Sequence, residues 1–162
     1  MINEDYLTKD YKMKLCAYII LFLISTSHVY SQKIMKEIIK TEKAPLPVGP
    51  YSQAVLVNNI LYVSGQVGIN IDNNKLITES IEAETKQVMD NIEAVLKEAN
   101  FNFENVVKST IFITDMKNFS KVNKVYGSYF KEEFAPARET VEVSALPIEA
   151  RIEISVTAIK TN

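Results

Sequence analysis

From Ala150 to Ala158 the chain alternates strictly between apolar and polar residues. Ile152, Ile154, Val156 and Ala158 face one way; Arg151, Glu153, Ser155 and Thr157 face the other. A period of two is that of a strand with one buried face. Similar runs stand at 105–114, NVVKSTIFIT, and at 137–143, where Val141 and Val143 oppose Arg138, Thr140 and Glu142. AVLVNNILYVSG, from Ala54 to Gly65, reads as strand, Asn58–Asn59 turn and strand, a β-hairpin. Gly65 and Gly68 end its second strand in a loop that continues through NIDNNK. Two other segments have a helical period. Val88, Ile92, Val95 and Ala99 recur at helical spacing between Ser80, which suits an N-cap, and Asn100, which tolerates a left-handed stop. They predict a helix of about five turns. Phe119, Val122, Tyr126 and Tyr129 mark a second helix, and the proline-rich APLPVGPY at 44–51 is extended.

The order is ββ-α-β-α-ββ. It predicts an α+β domain of two layers, a mixed sheet with two helices on one face. The other sheet face is then uncovered, and Arg138, Thr140, Glu153 and Ser155 are expected to point toward it. A face that mixes apolar and specific polar residues is a candidate subunit interface.

The first 31 residues do not fit this scheme. Residues 1–12 are polar, Lys12 and Lys14 form a short basic region, and Leu15 to Ile24 is an apolar run of ten residues. That run is too short to span a bilayer unaided and the right length for a signal-peptide core. VYS before Gln32 suits cleavage after Ser31. Residues 1–31 therefore read as a leader, with Met13 an alternative start, ahead of a single domain at 35–162. Export predicts a periplasmic or secreted protein. The other reading is an upstream read-through, with a cytoplasmic protein starting at Met35. Neither includes a stable membrane span.

Composition narrows the chemistry. Apolar residues make up 47% and charged residues 23%, as in an ordinary globular protein. Residues 35–162 carry 14 basic and 17 acidic side chains, which argues against nucleic acid as a partner. The one histidine, His28, and the one cysteine, Cys16, both lie in the leader. The body thus has no His base, no Cys nucleophile and no Cys/His zinc site, and no metal or other cofactor is expected. Carboxylates, hydroxyls, Lys, Arg, backbone and water must carry any chemistry. Against sixteen lysines there are two arginines, Arg138 and Arg151. Arg138, in PARETVEVSALP, fits either a planar fork gripping a carboxylate or phosphate, or a structural salt bridge.

Seven segments stand in an order that is specific as a set: APLPVGPYSQAV, LYVSGQVG, MDNIEAVLKEA, VVKSTIFITDM, FSKVNKVYGSYF, PARETVEVSALP and ARIEISV. With them the body, about residues 36–160, resembles the RidA/YjgF/YER057c/UK114 family of small deaminases. The resemblance implies a chorismate-mutase-like fold and a homotrimer with active sites in clefts between subunits. It implies hydrolysis of enamine/imine intermediates, such as 2-aminoacrylate, to 2-keto acids and ammonia, with a small imino acid as substrate. It assigns Arg138 to the substrate carboxylate and Glu153 to the attacking water. Tyr51 walls the cleft, and Ser64, Gly65, Asn123 and Thr140 complete the binding site. There are two departures. Thr140 stands where many members have a cysteine. Glu139 stands where a small or apolar residue is usual, and it is harmless only if it points away from Arg138. A non-catalytic carboxylate binder and an RNA-acting or chaperone-like protein are the competing functions.

Overall fold

The computed structural model describes residues 11–18 and 34–160. Residues 11–18 are helical (α1) and belong to a separate unit from the body, which begins at Ile34. The expected cleavage point after Ser31 and most of the apolar run lie outside the described residues. No described helix is long and apolar enough to cross a membrane.

The alternation at the end of the chain is indeed a strand, β8 (Ile152–Ile159), whose buried residues are Ile152, Ile154, Val156 and Ala158. Before it come β1 (Lys36–Ile39), β2 (Ala54–Val57), β3 (Ile60–Val67), β4 (Ile69–Asn70) and β5 (Lys75–Leu76). Helix α2 (Ile81–Glu98) follows, then β6 (Val106–Ile113), α3 (Phe119–Gly127) and β7 (Ala137–Glu142). Six strands form one sheet in the order β1-β2-β3-β8-β6-β7. All its pairs are antiparallel except β6–β7, so the sheet is mixed. A parallel pair needs a crossover, and α3 supplies it. The α+β reading therefore holds, with two additions. Strand β1 extends the sheet at its edge, and β4–β5 is a small hairpin within the expected loop.

Helix α2 has the predicted ends. The Ser80 hydroxyl accepts from the Ala83 N–H at 3.0 Å, and Asn100 adopts φ 61°. Its Val88, Met89, Ile92, Val95 and Leu96 are fully buried. They pack with Leu61, Ile111, Ile113, Ile152 and Ile154 from one face of the sheet. Truncating such a side chain to alanine costs about 2–5 kcal/mol. Helix α3 lies beside α2, and its Tyr126 donates to the Ser109 hydroxyl of β6 at 2.9 Å.

Two buried amides fix the loops around this core. The Gln53 carbonyl oxygen accepts from the Thr41 N–H at 2.8 Å. Its NH₂ is directed at the carbonyls of Thr41, Ala44 and Pro45 at 2.9–3.1 Å. One side chain thus holds the extended segment that leads to Tyr51. Asn91 of α2 donates to Val67 O and Ile69 O, both at 3.0 Å, and anchors the end of β3. Buried polar groups satisfied in this way specify one arrangement of the backbone.

Candidate functional site

The site residues fall into two groups. The first is built on an irregularity in β3. Val63 pairs with Val156 and Gln66 with Ile154, so Ser64 and Gly65 together face Ser155. That is a β-bulge, a device that re-aims side chains next to a site. The Ser64 hydroxyl donates to Ser52 O at 2.7 Å, and the Ser64 N–H donates to Gln53 O at 3.0 Å. These two bonds tie the loop carrying Tyr51 to the bulge. Tyr51 itself is 55% exposed.

Gly65 has a negative φ, so it is not needed for a left-handed turn. It is needed for space. A Cβ there would lie 2.7 Å from Glu153 Cδ and 2.9 Å from Cγ, inside van der Waals contact. The carboxylate of Glu153 occupies the room that the glycine leaves. Glu153 is half-buried, and burial pushes its carboxyl above the ordinary value. A carboxylate with a raised pKa is a better proton acceptor from water.

The second group is built on β7 and α3. Arg138 Nη1 donates to Asn123 Oδ1 at 2.7 Å. Its guanidinium carbon lies 5.0 Å from the ring centre of Tyr126 and 5.7 Å from that of Phe119, within cation–π range. Burial raises the Tyr126 hydroxyl pKa, while its bond to Ser109 and the Arg138 charge oppose that rise. Asn123, Tyr126, Phe130, Glu132, Pro136 and Arg138 line a cleft of about 460 Å³. The hydrogen-bond partner of Arg138 is a neutral amide, so donors of the fork remain for a planar anion. Thr140 follows two residues later, half-buried.

The register corrects the expectation that Arg138, Thr140, Glu153 and Ser155 share the uncovered face. Arg138 pairs with Ser109 and Thr140 with Ile111, both buried on the helix side. Glu153 pairs with Phe112 and Ser155 with Thr110, on the opposite side. Arg138 and Thr140 thus belong to the helix face and Glu153 and Ser155 to the open face. β7 is an edge strand, so polar residues on its helix side still reach solvent. Alternation alone does not tell the two faces of such a strand apart.

Glu139 lies on the open face, where it pairs with Lys108 and accepts from the Thr110 hydroxyl. It leaves Arg138 alone, as alternation predicts. Arg151 departs from expectation. It precedes β8 and turns to α2 instead of sharing a face with Glu153. Its Nε donates to Glu84 Oε2 at 2.6 Å and its backbone N–H to Glu84 Oε1 at 2.8 Å. The structural salt bridge considered for Arg138 is made by Arg151. Sequence reasoning missed Gln53, Glu84 and the Tyr126–Phe119 platform. The two aromatics read as core positions of an amphipathic helix, and the spacing carried no signal for the other two. Among the described residues no His, Cys, Asp and Glu group could hold a metal ion.

The chain matches the family model described as Endoribonuclease L-PSP over residues 41–160. It is 50% identical over 127 residues to a RutC family protein of Aquifex aeolicus, covering 78% of this chain and 100% of that one. It is 43% identical over 127 residues to the 2-iminobutanoate/2-iminopropanoate deaminase of Homo sapiens, covering 78% of this chain and 92% of that one. The crystal structure of a conserved Rid family protein from Yersinia pestis superposes with a TM-score of 0.75 at 51% identity. It covers 78% of this chain and 100% of that one. With the ordered motifs, the α+β fold and these relatives in agreement, the chain belongs to the RidA/YjgF/YER057c/UK114 family.

Proposed function

We propose that this protein hydrolyses reactive 2-imino acids, and the enamines that tautomerise to them, to 2-keto acids and ammonia. The observation that carries the proposal is an arginine fork without a carboxylate partner among the described residues, set on Asn123 and two aromatic rings. Such a fork matches the planar carboxylate of a 2-imino acid. Glu153 supplies the other half of the chemistry. Water adds to the imine carbon and gives up one proton, which the Glu153 carboxylate relays to the nitrogen to form a carbinolamine. The hydroxyl of that adduct then gives up its proton, relayed by Glu153 to the amine, so that the C–N bond breaks, the C=O bond forms and ammonia leaves. Imines hydrolyse without help, so orientation and one well-placed base are enough. The human relative named as a 2-iminobutanoate/2-iminopropanoate deaminase supports the same substrate class.

The opposite faces of Arg138 and Glu153 lead to the assembly. A substrate that touches both needs a second subunit, with Arg138, Asn123 and Thr140 from one copy and Tyr51, Ser64, Gly65 and Glu153 from its neighbour. The open sheet face exposes Tyr62 at 50% and Val141 at 43%, which suits an interface. We propose a homotrimer. Light scattering of the purified protein is expected to give about three times the monomer mass. A stable monomer with full activity overturns the shared site.

The function itself is tested by a coupled assay. A threonine or serine dehydratase generates the imine, and keto-acid formation is followed with and without this protein. Faster formation is expected in its presence. Tight binding of a 2-keto acid without any acceleration would instead support the non-catalytic carboxylate binder.

A further inference from the structure

Glu84 is a carboxylate side chain with no exposed surface, on a helix whose other buried side chains are apolar or the neutral Thr85 and Asn91. Taking a carboxylate out of water is costly unless it is paired and hydrogen-bonded. Both oxygens of Glu84 are used on one residue. Oε2 accepts from Arg151 Nε at 2.6 Å, and Oε1 accepts from the Arg151 backbone N–H at 2.8 Å. The Arg151 carbonyl in turn accepts from the Thr114 N–H at 3.1 Å, beyond the end of β6. Arg151 is therefore held from α2 and from the β6 side, through side chain and backbone together. Gly68 completes the seat, because a Cβ there would meet Glu84 Cγ at 2.6 Å.

Arg151 stands immediately before β8 and two residues before Glu153. Its neighbours Ile148 and Glu149 adopt left-handed conformations, φ 52° and 62°. A β-branched residue is rarely found there and needs surrounding structure to hold it. A strand entered through such a turn needs an anchor to keep its register.

We propose that Glu84 is a positioning residue for Glu153. By clamping Arg151 it sets where β8 begins, and so sets the Glu153 carboxylate into the space left by Gly65. The consequence for turnover rests on the deaminase reading; the placement of the carboxylate does not. On the open face the titratable neighbours from the adjoining strands are Tyr62, Lys108 and Glu139. Lys108 and Glu139 pair with each other, and burial alone accounts for the raised Glu153 carboxyl. The titration of Glu153 therefore reports how deeply its carboxylate is seated.

Glu84→Gln is the informative change. The amide has nearly the same shape, but one of its two ends is a donor and must face a donor of Arg151. The test follows the Glu153 side-chain carboxyl by carbon NMR titration in the intact wild-type and variant proteins, beside imine turnover. In the variant the Glu153 pKa is expected to fall toward the ordinary carboxylate value. Small misplacements cost up to about 100-fold in rate, and we expect kcat to drop about tenfold with KM changed less than about twofold. Arg151→Lys keeps the backbone bond and a charge, and should shift the titration less, in the same direction. It also serves as the test if Glu84→Gln fails to fold. Unchanged Glu153 titration in a folded variant overturns the proposal, whatever its effect on stability. A wild-type protein without turnover, whose Glu153 titration still moves in Glu84→Gln, would sink the deaminase reading and leave the clamp standing.

Discussion

Arg138→Lys is expected to fold and assemble like the wild type while losing most of its imine hydrolysis. Lysine keeps the positive charge. It does not keep the planar fork, and a point charge holds a planar carboxylate less rigidly. The bond to Asn123 and the stacking on Tyr126 and Phe119 now aim the guanidinium, and an ammonium would not reproduce that geometry. Arg138→Ala should go further. Truncating one partner of a buried, hydrogen-bonded charge pair costs about 2–5 kcal/mol, so kcat/KM should fall more than tenfold. The loss should appear first in KM, because the carboxylate is bound in the ground state as well as the transition state. A thermal melt beside the kinetics separates the alternatives. A large drop in Tm with KM unchanged in the folded fraction would make Arg138 a structural residue.

Gly65→Ala is expected to remove activity with little loss of stability. The atoms a new Cβ would meet belong to the end of the Glu153 side chain, with Cδ at 2.7 Å. A flexible carboxylate can swing aside, so the strand need not move. It then leaves its half-buried seat, and a displacement of about 1 Å can cost about 100-fold in rate. The pH profile should record the move. In the wild type, burial raises the Glu153 pKa, so the rate should fall as pH drops through a value above the ordinary carboxylate range. In Gly65→Ala the carboxylate is solvated, its pKa falls, and the acid limb of the remaining activity should shift to lower pH. A variant with the wild-type limb and rate would mean that Glu153 is not the base.

The parts of the fold legible in the sequence were those with a local cause. The β2–β3 turn, the Ser80 cap, the Asn100 stop and the alternation of β8 each arise from neighbours along the chain. β1 was not legible because only Ile39 of its four residues is buried, which leaves no alternation to read. The candidate site was read as a set of residue types through its motifs, and its geometry was not legible. That Gly65 serves Glu153, and not a turn, depends on how β3 pairs with β8. That Arg138 and Glu153 part company depends on which side of the sheet the helices cover. Arg151 looked like a member of the β8 alternation because its sequence position fits the period. Its partner lies on α2, 67 positions earlier in the chain, and no local pattern points there.

The strand order also bears on synthesis. β8 is the last described strand in the chain, yet it lies in the middle of the sheet, between β3 and β6. Until it emerges, the β1–β2–β3 meander and the β6–α3–β7 unit have no strand in common, and each presents an unpaired edge. Those edges are points of vulnerability to aggregation in a nascent chain. The same strand carries Glu153. The strand that closes the sheet and the proposed proton acceptor therefore arrive together, and a ribosome-bound fragment ending before β8 has neither.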